Sequence, residues 1–325
     1  MASPAFALGA TRCWFVYSHD YYCDLGPHVF PTVKYRMVRD MLVAKGRVPS
    51  ELFIEPPPAT RRQLLLVHTP EYLDDLFSLR HPLSTPRLRD SEMPLSREIV
   101  SAFVLGAGGT ILAARKALED GLAVNLSGGF HHAYPDRAEG FCYLNDVAVA
   151  TRVMQEERRV ENVLIVDCDL HQGNGTARIF SGDPHVLTFS IHQENNYPPK
   201  EKSCLDVGLP DGTDDDEYLA HLEKHLPEIL AKAKPSLVFY LAGADPYEGD
   251  QLGGLALTVK GLRKRDDYVV SSCLRQGVPV CGVLAGGYAF HVEDTVRIHY
   301  NTCIVFLTHA GESRAPFRAR PFASC

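Results

Sequence analysis

Asp167, Asp169 and His171 are spaced two apart at the end of the apolar run Val163-Leu164-Ile165-Val166. On an extended chain this spacing turns all three side chains to one side. Such groups at the end of a buried strand cannot be core packing, because unpaired buried carboxylates are too costly. They need a cation. Another oxygen donor, Asp245, stands in Ala242-Gly243-Ala244-Asp245-Pro246 after a second apolar run. Asp169, His171 and Asp245 together offer two oxygens and one nitrogen. Three protein ligands with one open position is the catalytic form of a zinc site, whereas four closed ligands are structural. Fe(II), Mn and Co accept the same donors.

Two further clusters complete a reaction. His131-His132, in the turn Gly128-Gly129-Phe130-His131-His132, supplies a pair of acid/base groups. Each imidazole needs a partner to set its tautomer, and Asp167 and Asn174 are candidates: a carboxylate favours imidazolium, an amide orients without adding charge. Tyr288, in Leu284-Ala285-Gly286-Gly287-Tyr288, could donate its phenol to a developing oxyanion. These groups assemble hydrolysis of an amide by metal-activated water. No Ser or Cys nucleophile is needed, and Cys142 lacks the surroundings of an activated thiol.

Short apolar segments at 13–17, 122–126, 163–167, 186–190, 237–241 and 278–284 read as strands covered on both faces. Helical patterns lie between them at 32–45, 97–119, 145–158, 214–233, 259–275 and 291–307. The alternation predicts an α/β fold with one parallel sheet wrapped by helices. The polar clusters all follow strands, and the carboxyl ends of parallel strands share the edge where ligands bind. Residues 81–94 and 193–210 read as loops, the second long enough to be functional. We expect one domain over 1–325, with a core at about 13–310 and a tail at 311–325, whose basic stretch 314–320 reads as a disordered end.

Composition sets limits. The 325 residues carry 33 basic and 40 acidic side chains, a formal net charge of −7. That balance disfavours direct nucleic-acid binding, which would show a basic stripe. The nine cysteines form no CxxC pair or framework and read as reduced thiols. The N-terminus lacks the positive start of a signal peptide, and no 18-residue apolar run predicts a membrane span. The expectation is an intracellular, cytoplasmic protein.

The motifs Gly128-Gly129-Phe130-His131-His132-Ala133, Gly140-Phe141-Cys142-Tyr143-Leu144-Asn145-Asp146, Asp167-Cys168-Asp169-Leu170-His171-Gln172-Gly173-Asn174-Gly175, Gly243-Ala244-Asp245 and Gly286-Gly287-Tyr288 resemble those of the zinc-dependent histone deacetylase family. The resemblance covers roughly residues 13–310. Asp136-Arg137, the run 212–219, the run 248–255 and Lys264-Arg265-Asp266 look like its class IV branch. It implies the single-domain arginase–deacetylase fold, one Zn²⁺ on Asp169, His171 and Asp245, His132 as general base and acid, and His131 as its electrostatic partner. It also implies Tyr288 polarising the carbonyl, and Gly140, Phe141, Tyr197 and Leu252 lining a tunnel for an acyl-lysine of a peptide or protein. A structural K⁺ would sit on Asp167, Asp169, His171, Ser190 and Ile191, partly through backbone. The implied acyl group is acetyl or long-chain fatty acyl. The chain departs from the family at His28-Val29, where the pattern is His-Pro, and the rim aspartate has only Asp90 as a candidate.

Three other readings stay open. A small acylamide such as an acetylpolyamine would need an acidic gate, for which Glu194 is the candidate. A binuclear manganese ureohydrolase would need further ligands where Gly173 and Gly243 stand. A non-catalytic module that binds acyl chains would dispense with Tyr288 or a ligand, and none is lost.

Overall fold

Runs of β-branched and aromatic residues form eight short strands in the protein, here a computed structural model describing residues 12–45 and 48–311. They are β1 (Arg12–Val16), β2 (Phe53–Ile54), β3 (Gly121–Asn125), β4 (Val163–Asp167), β5 (Val186–Gln193), β6 (Leu205–Leu209), β7 (Leu237–Leu241) and β8 (Val280–Val283). All pairings are parallel, in the order β2-β1-β3-β8-β7-β4-β5-β6. Every residue of β3, β4, β7 and β8 is buried, as strands covered on both faces must be. The fold is α/β, one parallel sheet flanked by helices, as the sequence alternation predicts.

The helices are α1 (Val33–Ala44), α2 (Arg61–Leu64), α3 (Pro70–Phe77), α4 (Pro86–Arg89), α5 (Arg97–Asp120), α6 (Asp146–Glu156), α7 (Asn174–Ile179), α8 (Asp215–Ala233), α9 (Val259–Arg275) and α10 (Val292–His309). α5 packs on α6, β1, β3 and β8, while α10 packs on α1, α9 and β3. Starts follow local chemistry. Asp214 caps α8 by accepting from Asp216 and Glu217 N–H, and three acids in the first turn face the positive end of the helix dipole. Ser96, Thr69 and Thr258 cap α5, α3 and α9 in the same way.

The sequence expectations hold for six strands and six helices within a few residues, and two loops need correction. Residues 193–210 contain strand β6, which adds to β5 at the sheet edge. Residues 81–94 contain a short 3-10 turn and α4, with Leu88, Ser91 and Met93 buried. By length and hydropathy α5 also passes as a membrane span, against the expectation of none. Its packing between β3 and α6, with most of its apolar length buried, makes it a core helix. The tail at 312–325 and the N-terminal segment 1–11 lie outside the described residues.

Candidate metal centre and tunnel

The strands β3, β8, β7 and β4 are adjacent at the centre of the sheet, and each ends in one of the polar clusters. Loop-to-loop bonds extend the ladder past the strands: Cys168 N–H donates to Leu241 O, Ala242 N–H to Val283 O, and Ala244 N–H to Gly286 O. Four distant segments thus meet on one edge.

Asp169, His171 and Asp245 are buried, and their donor atoms lie within 4.8 Å of one another. Side-chain bonds to the backbone shape the loop after β4, where Asp167 Oδ1 accepts Asp169 N–H at 3.1 Å and Asp169 Oδ1 accepts His171 N–H at 3.0 Å. Asp169 Oδ2 accepts Gly286 N–H at 2.8 Å. A Cβ on Gly286 would fall 2.2 Å from Asp245 Oδ2 and 2.6 Å from Asp169 Oδ2, so only glycine leaves this space open. Asp245 Oδ1 accepts Leu170 N–H at 3.0 Å, while the buried Oδ2 makes no hydrogen bond. His171 Nδ1 lies 3.3 Å from both Asp169 Oδ1 and Asp245 Oδ2.

The electrostatics ask for a cation. Burial and Asp169 push Asp245 up to about 6, although His171 opposes them. Burial would depress His171, yet its two carboxylate neighbours hold it up to about 10. Two buried carboxylates and an imidazole, with an orphaned oxygen among them, are a donor set that fits one divalent metal.

The histidine pair sits against this centre. His131 Nδ1 is 2.7 Å from Asp167 Oδ2, the two Nε2 atoms are 3.0 Å apart, and His132 Nδ1 is 2.8 Å from Asn174 Oδ1. Burial depresses both imidazoles, but Asp167 and Asp169 overcome it at His131 and hold that group up to about 9. His132 has no carboxylate in contact; burial, His131 and His171 drive it well below its usual value. The proton inventory follows from these partners. His131 Nδ1 meets the Asp167 carboxylate, which favours the imidazolium form of that ring. His132 is neutral and donates from Nδ1 to Asn174.

Tyr288 is buried, its ring centroid 6.0 Å from Phe30 and 5.8 Å from Phe141. Burial first, then Asp169 and Asp245, raise its phenol well above the usual value, so the hydroxyl keeps its proton. A channel of about 230 Å³ is lined by Gly140, Phe141, Tyr197, Leu252, His132, His171, Tyr288, Asn196 and Glu92. It meets a smaller chamber of about 20 Å³ that includes Phe30, His131 and Asp169. All four expected tunnel residues therefore line one channel. Phe141 reaches it through a turn with Gly140 at φ 51° and Phe141 at φ 63°, where Phe141 N–H donates to Ser91 O and Gly140 N–H to Asp90 O. Asp90 contributes a backbone carbonyl there. Glu194 lies against Gly208 on β6 and is not among the channel residues. Ser190 is in register with Asp167, and Ile191 follows it.

Several supporting residues have no role that the sequence alone assigns. Asp146 accepts Gly129 and Phe130 N–H at 3.1 and 2.8 Å and so pins the histidine turn to the start of α6. The buried Arg265 donates from Nη1 to Cys168 O and Gly243 O at 3.0 and 2.7 Å, clamping the two ligand loops. Asp250 accepts Tyr288 and Leu252 N–H at 2.7 and 2.9 Å. Glu92 faces the channel. Asp146, Asp250 and Arg265 stood inside recognised motifs; the structure adds their partners.

Residues 28–303 match the histone deacetylase domain family. An uncharacterised protein of Picosynechococcus sp. (strain ATCC 27264 / PCC 7002 / PR-6) is 45% identical over 87% of this chain and 95% of its own length. Histone deacetylase 2 of Arabidopsis thaliana is 32% identical over 80% of this chain and 70% of its own. The crystal structure of a histone deacetylase homologue complexed with SAHA superposes with a TM-score of 0.78 at 26% identity, covering 91% of this chain and 84% of that one.

Proposed function

The chain belongs to the histone deacetylase family, and from that premise we propose that it is a zinc-dependent hydrolase that removes acyl groups from the ε-amine of lysine. The observation that carries the reading is the buried Asp169, His171 and Asp245 cluster at the foot of a channel, with the His131–His132 pair and Tyr288 around it. A zinc ion held by these three residues supplies a Lewis acid for the amide carbonyl and brings the pKa of water down toward about 7. The chain's own groups do the rest. His132, neutral with its Nδ1 proton on Asn174, takes a proton at Nε2 and returns it to the leaving amine. His131 stays charged through Asp167 and stabilises developing negative charge. Tyr288 donates its phenol proton in a hydrogen bond to the substrate oxygen. Gly140, Phe141, Tyr197 and Leu252 enclose the lysine stem and exclude water.

The structural K⁺ on Asp167, Asp169, His171, Ser190 and Ile191 belongs to the same reading and is supported by the pairing of Asp167 with Ser190. The class IV motifs support placement in that branch, and the free thiols of the described cysteines support a reducing, cytoplasmic setting. We take the chain as one catalytic domain. One observation favours a small cationic acylamide as a second substrate class: the Glu92 side chain at the channel. A panel of acetyl- to myristoyl-lysine peptides and acetylpolyamines, compared by kcat/KM on zinc-loaded protein, tests the assignment. Turnover of a lysine peptide supports it, and turnover of polyamines alone would replace it.

A further inference from the structure

His131 and His132 are oriented in different ways. His131 meets a carboxylate directly, at Asp167. His132 meets the amide of Asn174, and an amide can present either its oxygen or its NH₂ to an imidazole. The orientation must be fixed from behind. Asn174 Nδ2 donates to Glu139 Oε1 at 2.6 Å and to Tyr134 OH at 3.2 Å. The Glu139 side chain is 14% exposed, and its other oxygen accepts from Arg137 Nε at 3.3 Å. The Arg137 guanidinium lies 3.5 Å over the Tyr134 ring, and Tyr134 OH donates to Glu201. A carboxylate accepts only, so Glu139 can bind Asn174 only through its NH₂. That leaves Asn174 Oδ1 facing His132.

We propose, resting on the function given above, that Glu139 is a positioning residue for the acid/base histidine, fixing the Asn174 amide so that His132 carries its proton on Nδ1 and leaves Nε2 unprotonated. A flipped amide would present NH₂ to Nδ1, move the proton to Nε2, and take the reactive lone pair away from the substrate. The placement of Glu139 is built into the turn that forms the tunnel wall. Glu139 N–H donates to Cys142 O and Cys142 N–H to Glu139 O, closing the turn around Gly140 and Phe141. The backbone that presents Phe141 to the substrate therefore also delivers the carboxylate to Asn174. The amide between them keeps the carboxylate out of contact with His132, unlike Asp167 against His131.

The test uses the full chain with ¹⁵N-labelled histidine, the His132 signals assigned by loss in His132→Ala. Wild type should show the Nδ1–H tautomer. Glu139→Ala should show a mixture and lose roughly 10–100-fold in kcat with KM little changed. Glu139→Gln, whose amide oxygen still accepts from Asn174, should keep the tautomer and most of the rate. Asn174→Asp alone should be impaired, because it sets two carboxylates against each other. Combining it with Glu139→Gln should restore at least about tenfold of that loss. A wild-type tautomer in Glu139→Ala, or independent effects of the two substitutions with no recovery, overturns the proposal. If wild type turns over no acyl-lysine substrate, the proposed function fails while the tautomer measurement still decides the role of Glu139.

Discussion

Replacing Tyr288 by Phe removes one hydroxyl and little else. The ring stays seated between Phe30 and Phe141. The backbone is held independently, with Tyr288 N–H on Asp250 Oδ2 at 2.7 Å and its carbonyl accepting from Gln251 Nε2 at 2.8 Å. None of the three metal-site residues bonds to the phenol. The change therefore isolates a single donor to the reacting oxygen. Such a donor contributes about 2.7–4 kcal/mol, so kcat should fall by roughly 10²–10³-fold. KM should move little, because the interaction strengthens only as charge develops on the oxygen. Steady-state release of free lysine amine from an acyl-lysine peptide measures both, with zinc content determined in parallel. A kcat within about threefold of wild type at equal zinc content would show that Tyr288 does not polarise the carbonyl.

Three other outcomes follow from the same contacts. Zinc at about 100 times its Kd should stabilise the protein by roughly 2.7 kcal/mol and raise Tm by several degrees, and Asp169→Ala should abolish the shift in a thermal melt; an equal shift in the variant would remove Asp169 from the ligand set. Arg265→Met leaves Asp266 without its buried cation and the Cys168 and Gly243 carbonyls without their donor, which should cost about 3–5 kcal/mol in urea unfolding, and a loss below about 1 kcal/mol contradicts the clamp. Burial lowers Lys34 from 10.5 to about 8 despite Asp245, Asp169 and Asp250, so the folded state binds the proton less tightly than the unfolded state does. Wild-type stability relative to Lys34→Met in metal-stripped protein should then rise by up to about 3 kcal/mol as pH climbs from 8 to 10.5; a flat difference refutes the lowering of Lys34 by burial.

The central sheet was legible because β3, β4, β7 and β8 are covered on both faces and carry uninterrupted apolar runs. β6 was not, since Leu205–Leu209 is an edge strand with alternating burial and holds Asp206 and Gly208. β2 has two residues, and α2, α4 and α7 are four to six residues long, too short for periodicity to register. The metal-site residues could be read because their chemistry excludes a core role and each follows a strand. Glu139, Arg265 and Asp250 could not be given roles in this way. Their partners, Asn174, the Cys168 and Gly243 carbonyls and the Tyr288 amide, come from other segments of the chain, and only tertiary structure pairs them. Glu194, the candidate acidic gate of the acylamide reading, is exposed and lies against Gly208.

The most direct test of the account is a titration of metal-stripped protein with zinc while hydrolysis of an acyl-lysine peptide is followed. Activity should rise linearly and stop at one equivalent in wild type, and stay at background in His171→Ala. A break at two equivalents, or full activity in His171→Ala, would contradict a single catalytic zinc held by Asp169, His171 and Asp245.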